Sequence, residues 1–238
     1  MYILEHLLIF FGFVLGNLFN FSIIHYLLRN NEDYQKLEYH QKCYMVKNLS
    51  KSMILLIFLV TGLNKLYNGL VHQIYDDYWM TIYGSLYVST DFTGLMVVPK
   101  LHMTTVIHHI CVILFGIINL SVDFDQDGFH RVLLPLTAFS CIPYIVNFYL
   151  AYRWTPLPFN NDILIKFCFW TYLVSICFNF VYQHYFVFYL YGNHPFHYVY
   201  LVLYYWAILR DDLKLLQYLL YKGYGVTSAK ETLINMFS

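Results

Sequence analysis

The 238-residue chain is 59% hydrophobic and only 12% charged, with 14 basic residues balanced by 14 acidic ones. A soluble domain carries about 25% charged residues, and one compact core of this length could not hide so much apolar surface from water. A simple soluble globule is therefore excluded. Zero net charge without a basic stripe argues against nucleic acid and leaves membrane lipids as the expected partners.

In lipid, backbone groups must pair internally, and a helix needs about 20 apolar residues to cross. Long apolar runs without period-two alternation predict an all-α, multi-pass membrane protein. Its seven spans fall over residues 3–28, 49–71, 78–98, 104–120, 131–152, 163–191 and 196–221. The first run contains Glu5 and His6 and lacks both a basic leader and a small-residue cleavage pattern, so it reads as a retained helix. A charged connector from Arg29 to Lys47 follows it, then the acidic pair Asp76-Asp77, the Pro99-Lys100 turn and the acidic loop VDFDQDGF. The connector TPLPFNND and the turn GNHP separate the last spans. This divides the chain into an N-terminal helix with its connector (1–48), a helical domain (49–221) and a C-terminal tail (222–238).

Charge placement orients the spans, because short cytosolic loops collect lysine and arginine. With the N-terminus outside and the C-terminus inside, every basic residue except Lys65 and Arg131 falls on the inner side, and the acidic patches fall outside. The five cysteines (Cys43, Cys111, Cys141, Cys168, Cys177) are scattered without C-x-x-C spacing and read as packing residues.

Ionisable residues inside spans are costly and mark candidate sites. Asp91 lies in GSLYVSTDF, seven residues before Val98 and so roughly 10 Å from the inner end of its helix. His108 and His109 lie in TTVIHHICVILFG, with His108 roughly 6 Å into the next helix. A short turn joins the two helices, so the carboxylate and the imidazoles can share a cavity open to the cytosol. A carboxylate beside histidine orients the ring and raises its basicity, which suits a general base or nucleophile. The bland alternative is hydrogen bonding between helices. Adjacent histidines point about 100° apart, so one of the two is expected to face Asp91.

The run Gly84-Ser85-x-Tyr87-x-x-x-Asp91, followed by His108-His109, resembles the central signature of the TLC domain family. SCIPYIVNFYLAYRW, with Pro143 and Asn147, resembles that family's Ser/Thr-x-Pro-x-x-x-Asn helix, and LYYWAILRDDLK its last aromatic span. The resemblance covers about residues 49–221. It implies a barrel of six helices, here preceded by one more, in the endoplasmic reticulum. It also implies lipid metabolism, with acyl-CoA as co-substrate and no tightly bound cofactor. Within the family, ceramide synthases use the histidine pair to acylate a sphingoid amine, while other members act without enzymatic chemistry. The resemblance makes His108, His109 and Asp91 catalytic candidates, with Tyr87, Asn147, Arg153 and Tyr205 as lining residues. After the histidines, however, the chain reads CVILFGIINLSVDFDQDGFHRV, which departs from the orthodox ceramide synthase signature. The acidic residue that relatives often carry before the Pro143 segment is also missing from Leu136 to Phe139.

Asp123-x-Asp125-x-Asp127-Gly128 matches half of a calcium loop, but Leu134 stands at the twelfth position, so a solvated acidic loop is expected. His184, His194 and His197 lack metal-ligand spacing and read as interfacial, and no metal site is expected.

Overall fold

The computed structural model describes residues 2–155, 160–190 and 196–225. The GNHP turn with His194, most of TPLPFNND, and the tail beyond 225 with Lys230 lie outside them. Among the described residues every regular element is helical: α1 (Tyr2–Leu28), α2 (Glu32–Lys36), α3 (Tyr39–His72), α4 (Asp77–Val97), α5 (Met103–Ser121), α6 (Leu133–Cys141), α7 (Tyr144–Tyr152), α8 (Asn161–His184), α9 (His197–Leu203) and α10 (Arg210–Tyr224). A short 3₁₀ turn precedes α6, and π-helical turns join α9 to α10 and extend α8.

This is an all-α, multi-pass membrane protein. The helices Ile3–Leu28, Tyr39–His72, Met103–Ser121 and Asn161–Tyr189 are each long and apolar enough to cross a bilayer. The bent pair Phe129–Cys141 and Tyr144–Tyr152 adds a fifth crossing if it is one span. Their outward faces carry exposed Leu8, Leu15, Phe19, Val60, Ile117 and Phe167, side chains that lipid rather than water would solvate. The described residues of all seven segments expected from the sequence are largely helical, but neither α4, with its Ser, Thr, Tyr and Asp residues, nor the last segment with α9 and α10 is among the apolar crossings, so four or five of the seven meet that measure.

The fifth segment breaks where the chemistry requires it. Pro143 has no N–H to donate to the carbonyl of Phe139 and kinks the helix there, giving a 47° bend. The Ser175 hydroxyl of α8 donates to that freed carbonyl, and the Ser52 hydroxyl of α3 donates to the carbonyl of Tyr144 at 2.9 Å. The break is thereby satisfied and clamped between α3 and α8.

Polar pairs set the register of the other helices. In α1, Asn17 donates to Ser89 of α4 (2.8 Å) and Asn20 donates to Ser50 of α3 (2.7 Å). The first helix is therefore docked onto α3 and α4. Helices α4 and α5 approach closely because a Cβ on Gly116 would lie 2.6 Å from a Val88 methyl.

Lys65 and Arg131, the two basic residues outside the expected inner-side pattern, each pair with a loop carboxylate. Lys65 pairs with Asp76 at 2.8 Å, and Arg131 pairs with Asp127 at 2.8 Å while donating to the carbonyl of Phe124. The acidic loop is a strap: Asp125 accepts from the N–H of Asp77, Asp123 accepts from the N–H of Asp125, and Asp77 accepts from the N–H of Phe124. Its carboxylates thus serve the backbone and Arg131 rather than converging on one point. Cys43, Cys111, Cys141 and Cys168 are buried free thiols, whereas Cys177 is exposed.

Candidate functional site

Helices α3, α4, α5, α8 and α10, with the α6–α7 break, enclose a cavity of about 140 Å³. Asp91 is fully buried on α4, and its Oδ1 lies 3.2 Å from Nδ1 of His109 on α5. The depth arithmetic of the two helices anticipated this meeting, and one histidine of the pair takes it. His108 turns toward α10 instead, where its Nδ1 lies 3.7 Å from Oδ2 of Asp211. The two imidazoles meet edge to face, 5.6 Å apart. Each histidine therefore has its own carboxylate, drawn from a different helix.

Four groups that the sequence reading did not single out complete the site. Lys51 of α3 donates to Asp91 Oδ1, and its ammonium stands 5.5 Å over the ring of Tyr87. Lys47, one turn earlier, is also buried and lines the cavity. Asp211 accepts from the Thr105 hydroxyl at 3.4 Å, and Asp212 accepts from the Tyr172 hydroxyl at 2.7 Å. In the sequence the lysines look like part of a basic inner connector, and the aspartates like charges at a cytosolic helix end. The available signal was spacing: Lys47 and Lys51 recur at i, i+4 and so share one helix face.

Of the expected lining residues, Tyr87 and Asn147 line the cavity. Arg153 does not: its guanidinium stacks over Tyr44 (4.3 Å) and Trp154 (3.8 Å), beside the cavity wall. Tyr205 is also placed elsewhere. It is partly exposed on the π-helical turn of the last segment and bonds His184. His197 is buried within the protein.

Neither ring nitrogen of His109, nor Oδ2 of Asp91, has a well-formed hydrogen bond within the protein. Buried polar atoms of this kind ordinarily find a partner in protein or ordered water. Asp91, His108 and His109 also bring ligand atoms within 4.8 Å of one another, a donor set that could hold a metal ion. Lys51 already neutralises Asp91, however, and an ion would have to displace its ammonium. The arrangement is better suited to moving a proton: a buried imidazole with one nitrogen against a carboxylate and the other without a hydrogen-bond partner among the described residues.

Comparison with family models, with curated proteins and with solved structures finds no match to this chain.

Proposed function

We propose that this protein is a TLC-type membrane protein that modifies a membrane lipid by histidine-dependent acyl transfer. The observation that carries the reading is the Asp91–His109 contact inside a cavity where the outer nitrogen of His109 is unpartnered. In the proposed reaction Asp91 holds the ring, and His109 takes the proton from an acceptor hydroxyl or amine as that group attacks an acyl thioester carbonyl. The carbon–sulfur bond breaks, the new ester or amide bond forms, and the imidazolium returns the proton to the thiolate. The nearby Lys51 ammonium favours the oxyanion that develops on the way. His108, with Asp211 3.7 Å from its Nδ1, stands next to the same centre.

We place this site in a chain of seven crossings, with the N-terminus outside and the C-terminus in the cytosol of the endoplasmic reticulum membrane. The distribution of basic residues supports that orientation, and it opens the cavity toward the side where acyl-CoA is made.

The test compares lipid classes in membranes of cells carrying wild type or His109→Ala at equal expression. A lipid class that falls with the variant supports acyl transfer. Identical profiles count against it.

One observation favours a second reading, a non-enzymatic lipid sensor, carrier or cargo-handling protein. The catalytic cavity is small beside the 300–1,000 Å³ of usual ligand pockets. A groove of about 1010 Å³, walled by Phe115, Phe129, Leu133, Val199 and Leu203, lies away from the histidines. Under this reading lipid sits in the groove, and His109→Ala lowers thermal stability without changing any lipid class.

A further inference from the structure

Lys47 and Lys51 sit one turn apart on α3, and both are buried. Lys51 is matched by Asp91. Lys47 is 8% exposed, lines the cavity, and makes no hydrogen bond or ion pair among the described residues. Asp91 and Asp211 act on Lys47 only from a distance; a buried ammonium with no direct partner is expensive, and in membrane proteins such a group marks a ligand path. Its stem cannot simply swing out to water, because it is packed into a notch on α4. A Cβ on Gly94 would lie 2.7 Å from Lys47 Cε.

Depth narrows what the missing anion is. Helix α3 has 34 residues, about 51 Å at 1.5 Å per residue, against roughly 30 Å of hydrocarbon. Its ends therefore stand in the headgroup layers. Lys47 lies eight residues from Tyr39, about 12 Å along the helix, which puts it at the boundary between headgroups and hydrocarbon. Phosphate is the abundant anion of that layer.

We propose that Lys47 anchors a subsite for a phosphate-bearing ligand at the cavity mouth, with Lys51 one turn deeper toward Asp91. The proposal takes the cavity as the working site, as argued above, but it concerns binding and needs no turnover. Two sources share this chemistry: the headgroup of a phospholipid, and a soluble phosphorylated carrier of the acyl group.

The full chain, purified in a phosphate-free maltoside detergent, is titrated with inorganic pyrophosphate, short-chain phosphatidate and the matching diacylglycerol. Thermal unfolding reports binding. Stabilisation by either phosphate compound but not by diacylglycerol supports the subsite, and pyrophosphate against phosphatidate assigns the source. Losing one charge-assisted hydrogen bond predicts that Lys47→Gln weakens binding about tenfold or more, while Lys47→Arg retains it. Because it removes a buried charge that no side chain contacts directly, Lys47→Gln without ligand unfolds no lower than wild type.

Three results overturn the proposal: no response to either phosphate compound, equal binding by Lys47→Gln, or a Lys47→Gln protein that does not fold. If phosphate binding depends on Lys47 but no lipid product is ever formed, the subsite stands and acyl transfer falls.

Discussion

The Lys51–Asp91 pair gives the sharpest test of the geometry, because both partners are enclosed. Their side chains are 11% and 0% exposed, so solvent screening offers little relief. Removing one partner of such a pair leaves an uncompensated buried charge and costs about 3 kcal/mol or more. At roughly 2–4 °C per kcal/mol for a chain of this size, Asp91→Asn lowers Tm by about 6–12 °C. Its effect should exceed that of Lys51→Met, since Asp91→Asn strands Lys51 with Lys47 nearby, whereas Lys51→Met leaves the carboxylate next to His109. The double variant Lys51→Met/Asp91→Asn removes both charges and should return to within about 1 kcal/mol of wild type, a coupling of about 2 kcal/mol or more. Thermal unfolding of the four proteins in one detergent measures the cycle. Additive losses would refute the contact and, with it, the assignment of Lys51 to the site.

Three further outcomes follow from individual contacts. Tyr172→Phe removes the hydroxyl donated to half-buried Asp212 and should cost about 1 kcal/mol, read as a lower Tm with helicity unchanged. Gly116→Ala forces a methyl against Val88 at 2.6 Å, which should separate α4 from α5 at about 1–3 kcal/mol and reduce expression of folded protein. Calcium at millimolar concentration should leave Tm unchanged, because the acidic loop spends its carboxylates on Arg131 and backbone N–H groups. A calcium-dependent rise of several degrees would contradict that reading.

The helical rods were legible because lipid imposes a length and forbids unpaired backbone, so apolar runs and charged breaks carry the architecture almost alone. The meeting of Asp91 with a histidine was legible for the same reason: rise per residue converts sequence separation into depth. Pairing across helices distant in sequence was not. Asp211 reaches His108 from a helix about a hundred residues further along, and no local pattern marks that approach. Lys51 was hidden by its neighbourhood, since a lysine next to a basic connector reads as a solvated inner charge until the fold buries it. Tyr205, expected at the cavity only from the resemblance, instead bonds His184 on the exposed side of the last segment.

The central claim is chemical, and one measurement addresses it directly. Purified wild type and His109→Ala are reconstituted at matched folded fraction with radiolabelled acyl-CoA and a total membrane lipid extract, and labelled lipids are counted over time. The account predicts a labelled lipid from wild type that is absent with His109→Ala. Equal label with both proteins, or none from folded wild type across short, medium and long acyl chains, would contradict it.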